Sequence, residues 1–231
     1  MIGDKLVITE YHRAAAAKIL PAVRRRLATA ASAVTVSIAG ESGSGKSETA
    51  DCLAAALAEE GRACVTLCQD DYFRLPPKSN HRQRQADISW VGLGEVRLDL
   101  MEAHIYALKD HPEKPLSKPL IEFDEDRIGC EIVERGIRDV VIVEGCYTTL
   151  LSNVDIRVFI DRNYRQTKRA RAHRNRDPSE QLLEKVLAIE HDEISTHKSL
   201  ADIVIDAPQD EREDEAARAL KERDCKSTSQ A

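Results

Sequence analysis

Between Gly40 and Ser47 the chain reads Gly-Glu-Ser-Gly-Ser-Gly-Lys-Ser. This fits G-x-x-x-x-G-K-[ST], in which the backbone N–H groups of a glycine-rich turn surround a phosphate. The helix that follows adds favourable partial charge at its N-terminus. An apolar, β-branched run from Val34 to Ala39 leads into the segment, and a helical pattern leaves it with Ala50, Leu53, Ala54 and Leu57 on one face. Gly40, Glu41, Ser42, Gly43, Ser44, Gly45 and Glu48 are the positions expected around a nucleotide. Lys46 would reach its β- and γ-phosphates, and the Ser47 hydroxyl would hold Mg²⁺. The competing reading is a chance match in a glycine-rich turn. The strand before it and the helix after it argue against chance.

Three further groups carry chemistry. Asp70 and Asp71 follow a second apolar run. A carboxylate there could take a proton from an attacking hydroxyl or hold Mg²⁺; the plain alternative is a turn aspartate. Neighbours in an extended segment point apart, so one of the two is expected to face the site, and Asp70 is preferred. Glu144 ends the apolar run Val140–Val143, which has the form of a buried strand delivering one carboxylate to the metal side of a nucleotide. From Arg162 to Arg176 lie Arg162, Arg165, Lys168, Arg169, Arg171, Arg174 and Arg176. Guanidinium groups bind polyphosphate oxygens and neutralise charge in a phosphoryl-transfer transition state. Arg169, Arg174 and Arg176 are the expected ATP contacts, with Arg169 and Arg174 also catalytic. The alternative is a solvated or RNA-binding basic helix.

Elements must place these groups together. A helical stretch spans about Thr9 to Ala31, and Pro21 interrupts or kinks it, so two helices are an open reading. Strands are expected at Val34–Ala39, Ala63–Cys68, Asp139–Glu144, Ile156–Ile160 and Asp202–Ile205. Helices are expected from the glycine-rich loop to about Glu60, from Glu95 to Lys109, from Arg165 to Arg174, and from an N-terminus at Asp177-Pro178-Ser179-Glu180. Arg74 to Asp87 reads as a loop. Leu120–Phe123 and Cys130–Val133 read as a hairpin across Asp124, Glu125, Asp126 and Gly129. Strands that alternate with helices imply a parallel sheet covered on both faces, with ligands at the carboxyl ends of its strands. Gly40, Asp70, Glu144 and Asp161 all fall at or just past such ends.

Bulk properties narrow the function. The 231 residues suit one domain with an insertion. A net charge of −6 argues against a general nucleic-acid binder. The six cysteines show no zinc spacing and are expected to be reduced thiols. The N-terminal residues carry charges at Asp4, Lys5 and Glu10 and no long apolar run, so neither a signal peptide nor a membrane span is expected, and the cytoplasm is the expected compartment. A homo-oligomer is left open.

The ordered set — the glycine-rich loop, then Gln69-Asp70-Asp71-Tyr72-Phe73, then Val140 to Gly145, the arginine cluster, and Lys198 to Ile205 — resembles the uridine kinase and phosphoribulokinase family of P-loop kinases. The resemblance covers about Val34 to Asp206. It implies a three-layer α/β fold of the P-loop NTPase type with a five-stranded parallel sheet, a small hairpin insertion and an arginine-rich lid. It also implies ATP- and Mg²⁺-dependent phosphorylation of a hydroxyl on a small molecule. In those terms 1–32 is an N-terminal helical extension and 33–207 the kinase domain, with an acceptor-binding insertion at about 74–135 and a lid at about 162–180. Residues 208–231 are a polar tail. Asp70 matches the carboxylate that acts as base, and Glu144 the strand-end acid.

The chain departs from that family where a nucleobase would sit. Ile121 stands near the position of a tyrosine and Asp126 near that of a histidine, and Asp87 to Trp90 lacks the family's ribose-gripping form. Tyr72, Trp90, Phe123 and Arg127, with Asp70 and Glu144, are the candidates for shaping an acceptor pocket. Arg82, Arg84 and Arg127 could hold an acidic acceptor, with a solvated loop as the plainer reading of the first two. The rival functions are a P-loop ATPase or nucleotide-binding regulator without an acceptor, and a nucleic-acid-directed enzyme.

Overall fold

The computed structural model describes residues 6–134, 136–168 and 180–208. In chain order its principal elements are α1 (Glu10–Leu27), β1 (Val34–Gly40), α2 (Lys46–Glu59), β2 (Cys64–Cys68), α3 (Pro77–Ala86), α4 (Leu98–Asp110), β3 (Leu116–Glu122), β4 (Arg127–Val133), β5 (Val140–Glu144), β6 (Ile156–Asp161), α5 (Glu180–Ile194) and β7 (Ile203–Asp206).

Among the described residues five strands form one parallel sheet in the order β2-β5-β1-β6-β7. The central strands explain themselves. Every residue of β1 and of β5 is buried, as a strand covered on both faces requires, and both are continuous runs rich in Val and Ile. Alternate side chains of β5 serve opposite cores. Val140 and Ile142 pack with β1, α1 and α2 through Ile19, Val23, Leu53 and Leu57. Val141 and Val143 pack on the other face with Leu67, Met101, Ile105 and Ile194. Helix, sheet and helix therefore make three layers. β3 and β4 form the expected hairpin as a separate antiparallel pair, longer than expected, with Glu122 opposite Arg127.

Three expectations change. The N-terminal stretch is one helix, with Pro21 inside it, and Ala15, Ala16, Ile19 and Val23 are buried in the same core as β1 and α2. A proline removes one backbone hydrogen bond, and here tertiary packing holds the helix through that loss. Second, Arg74–Asp87 is not a loop: α3 occupies Pro77–Ala86. Its first-turn amides are capped in trans. Asp126, at the hairpin turn, accepts from the backbone N–H of Lys78 at 2.7 Å and of Ser79 at 3.2 Å, and from Ser79 Oγ at 2.9 Å. That cap lies more than forty residues away in sequence, so no local pattern announces it. Third, Tyr164–Thr167 form a turn where a helix was expected to begin. Arg169, Arg174 and Arg176, and the Asp177–Ser179 helix start, lie outside the described residues.

Candidate active site

The loop between β1 and α2 has the form its sequence demands. Gly45 has φ +98°, a left-handed backbone that glycine adopts without a Cβ penalty. A Cβ on Gly45 would stand 2.7 Å from His12 Nε2, so α1 backs the loop at close range. Lys46 Nζ donates to the Glu41 carbonyl at 2.9 Å, which folds the lysine back across the loop. Ser44 Oγ is buried with no hydrogen-bond partner among the described residues. The positive end of α2, a glycine-lined turn and an unsatisfied hydroxyl suit a phosphate group. Glu48 is buried in the first turn of α2.

Ser47 Oγ donates to Glu144 Oε1 at 3.0 Å, across the gap between α2 and the end of β5. Glu144 is 4% exposed. Burial raises its pKa above the usual carboxylate value and the nearby negative charge of Asp70 adds to this, while Lys46, Cys68 and Ser47 act the other way. A hydroxyl and carboxylates of this kind form a hard-oxygen donor set that fits Mg²⁺. No cluster of three His, Cys, Asp or Glu side chains suited to a metal occurs among the described residues.

The segment after β6 is stitched to the loop. Arg162 Nη1 donates to the Ser44 carbonyl at 3.2 Å and stacks over the Tyr11 ring, 5.1 Å from its centroid. Thr167 Oγ1 donates to the Ser42 carbonyl at 2.9 Å. Glu41 accepts from the Tyr164 amide at 2.7 Å and lies 2.7 Å from His191 Nδ1 of α5. Its side chain therefore ties loop to helix, while its carbonyl receives Lys46. Asp161 is paired with Lys198 at 2.7 Å, apart from the loop.

Beside the loop lies a cavity of about 400 Å³. Asp70 and Ser42 both line it, with Phe73, Phe123, Cys146 and Glu190 among its other walls. It is bounded by α3, the hairpin and α5. The sequence candidates divide there. Asp70 and Phe123 face the cavity. Tyr72 does not: it is fully buried in the core, with its hydroxyl 2.9 Å from His104 Nδ1. Trp90 is absent from the lining, and its Nε1 donates to Asn80 Oδ1 at 2.8 Å. Arg127 is exposed on the hairpin, paired with Glu122 at 2.5 Å and Glu125 at 3.2 Å, and does not line the cavity. Glu144 faces Ser47 and the loop instead.

Arg84, read from the sequence as a candidate for an acidic acceptor or as part of a solvated loop, and Glu190, which was passed over, complete the wall. Arg84 donates to Glu95 through Nε at 2.7 Å and through Nη2 at 3.0 Å, and Nη2 also reaches Glu190 at 3.1 Å. Burial pushes the Glu190 pKa up, partly offset by Arg84, whereas the nearby Glu95 raises it further. A signal for Glu190 was present. It continues the spacing of Leu183, Val186 and Leu187, so a carboxylate stands in line with the apolar face of α5.

A five-stranded parallel sheet with a glycine-rich phosphate loop after β1 and a carboxylate at the end of the neighbouring strand defines a P-loop nucleotide-binding fold. The sequence model of the phosphoribulokinase / uridine kinase family matches residues 35–211. The chain belongs to that family, a class of small-molecule kinases. It is 26% identical over 184 residues to a uridine kinase of Lactiplantibacillus plantarum, covering 74% of this chain and 86% of that one. It is 24% identical over 190 residues to a bifunctional α-galactosidase/sucrose kinase of Mediterraneibacter gnavus, of which the match spans only 20%. Among solved structures, a putative fructose transport system kinase from Silicibacter superposes with a TM-score of 0.60 at 19% identity, over 82% of this chain and 98% of that one. A D-glycerate 3-kinase from Cryptococcus neoformans superposes at 0.56 and 16% identity, over 82% and 88%. These likenesses show the fold. No described helix is long and apolar enough to cross a membrane.

Proposed function

We propose that the protein uses ATP and Mg²⁺ to phosphorylate a hydroxyl group of a small molecule bound in the cavity beside Asp70. The observation that carries this reading is that Asp70 and Ser42 of the phosphate loop line one and the same cavity. An acceptor in that space lies between a carboxylate and the place where the end of a triphosphate would rest. The relatives are named for acceptors as different as uridine, sucrose and D-glycerate, so the family leaves the acceptor open.

In this reading the loop amides and Lys46 hold the phosphates, and Ser47 with Glu144 provide the oxygens for Mg²⁺. When bound, that ion neutralises charge on the transferring phosphoryl group. Asp70 orients the acceptor hydroxyl and takes its proton as the oxygen–phosphorus bond forms and the bond to the ADP oxygen breaks. Nothing in the protein is covalently modified, so catalysis is positioning and charge stabilisation. Arg169, Arg174 and Arg176, which lie outside the described residues, are proposed as further ATP contacts.

The test is an ADP-release screen of nucleosides, sugars, polyols and acidic metabolites, with Lys46→Ala as the blank. Acceptor-dependent release that vanishes in Lys46→Ala supports the reading. ATP hydrolysis of equal rate with and without every acceptor would refute it.

A further inference from the structure

Two of the three described lysine and arginine side chains that line the cavity, Arg82 and Arg84, are paired with carboxylates of the chain itself. Arg84 lies against two carboxylates, Glu95 and Glu190, and the first is engaged by both Nε and Nη2. Glu95 is itself fixed by Asn80 Nδ2 and by the Gly92 amide. Arg82 is paired with Asp126 at 3.2 Å. Lys78 donates to the Asp124 carbonyl at 2.7 Å, and its amide to Asp126. With Asp70 added, the described carboxylates around the cavity outnumber these three cations. Among the described residues, an anion entering here would lose hydration and meet two guanidinium groups already held by carboxylates and one ammonium engaged by a backbone carbonyl, which is unfavourable in a partly desolvated space.

The remaining groups favour a neutral ligand rich in hydroxyls. Glu190 is tied to Arg84 through Oε1 alone, so its second oxygen carries no hydrogen bond among the described residues and can accept from a hydroxyl. His81 lines the cavity, and its Nε2 is buried with no hydrogen-bond partner among the described residues. A buried ring nitrogen left unpaired is costly, and a hydroxyl can satisfy it as donor or acceptor. Phe73, Phe123, Ile121 and Leu187 supply apolar wall for the C–H faces of such a ligand.

We infer that the acceptor is an uncharged, polyhydroxylated molecule, and that Glu190 and the neutralised Arg84 discriminate against carboxylated and phosphorylated analogues. This rests on the kinase reading above and narrows it. It also sets aside the reading in which Arg82, Arg84 and Arg127 could hold an acidic acceptor, because all three guanidinium groups are occupied by carboxylates of the chain itself.

The experiment uses matched pairs differing in one acidic group: ribose and ribose 5-phosphate, glucose and gluconate, fructose and fructose 6-phosphate, glycerol and glycerate, uridine and its monophosphate. Binding to the full chain is read without turnover by saturation-transfer NMR, and turnover by ADP release. The expected result is binding by at least one uncharged member. Its kcat/KM should exceed that of its acidic partner by on the order of tenfold or more, a factor corresponding to about 1.4 kcal/mol. Stronger binding or faster turnover of an acidic member than of its neutral partner overturns the inference. So does an absence of binding by every neutral member. Failure of the kinase reading looks different: ADP release that persists in Lys46→Ala, whichever compounds bind.

Discussion

Asp70 and Asp71 are adjacent in sequence and serve different parts of the molecule. Asp70 lines the cavity beside the phosphate loop. Asp71 is 1% exposed, lies 3.0 Å from Lys118 Nζ and accepts from the Ile121 amide at 3.1 Å, so it pins β3 of the hairpin to the end of β2. The two substitutions should separate cleanly. Asp70→Asn is expected to lower kcat by roughly 10²- to 10⁴-fold, the range for a positioned general base, with little change in thermal midpoint. Asp71→Ala leaves the buried Lys118 with Glu131 as its one carboxylate partner among the described residues and should cost about 3 kcal/mol of stability. Steady-state kinetics and urea unfolding on both proteins check this. Full activity in Asp70→Asn would remove it as the base.

Gly45 tests the contact between α1 and the phosphate loop. Alanine there must adopt φ near +98° and place a methyl 2.7 Å from His12 Nε2. The left-handed backbone alone costs about 1–2 kcal/mol. Gly45→Ala is therefore expected to weaken ATP binding and lower the unfolding midpoint. Adding His12→Ala should recover only the part due to the clash. A double-mutant cycle on ATP affinity measures that part, and a coupling of zero would mean that α1 does not restrain the loop.

Chelation of divalent metal should stop ADP formation, because Ser47 and Glu144 are proposed to hold the Mg²⁺ that neutralises charge on the transferring phosphoryl group. Ser47 reaches Glu144 at 3.0 Å, so the two should act as a unit. Glu144→Gln is expected to raise the Mg²⁺ concentration for half-maximal rate by ~10–100-fold, the usual cost of losing a supporting ligand. An unchanged Mg²⁺ requirement would place the ion elsewhere.

Asp155 gives a pH prediction independent of catalysis. Burial pushes its pKa up, but the Thr35 amide at 2.8 Å, Arg26 at 2.8 Å and Lys109 at 3.0 Å outweigh that and hold it below the usual value. A carboxyl whose folded pKa lies below its unfolded one stabilises the fold fully above the unfolded value, near pH 4, and loses that contribution as pH falls through the folded value. Stability should decline below about pH 4, and Asp155→Asn should flatten the decline. Urea midpoints measured from pH 3 to 7 test it, and an equal slope in both proteins would exclude Asp155 as its source.

The central sheet and the phosphate loop were legible because their signals are local. β1 and β5 are buried, Val- and Ile-rich runs, and the loop's glycines sit where the turn needs them. The wall of the cavity was harder to read because its determinants are long-range. α3 has few apolar residues to show a period, and its cap comes from Asp126. Tyr72 and Trp90 look like ligand-stacking aromatics in sequence, but His104 and Asn80, brought in by other helices, take their polar atoms. The surroundings of Arg84 were hidden for the same reason: no spacing shows that Glu95 and Glu190 come from two directions to meet it.

Glu190 and His191 are consecutive on α5. The first looks into the cavity, and the second holds Glu41 of the phosphate loop. One helix thus touches both the phosphate loop and the cavity proposed for the acceptor. A shift of α5 that improves the grip on one pocket necessarily alters the wall of the other. Linkage then requires that ATP changes the affinity for the acceptor by the same factor by which the acceptor changes the affinity for ATP. The two ligands would sense each other through a single pair of neighbouring side chains, without touching until the phosphoryl group moves.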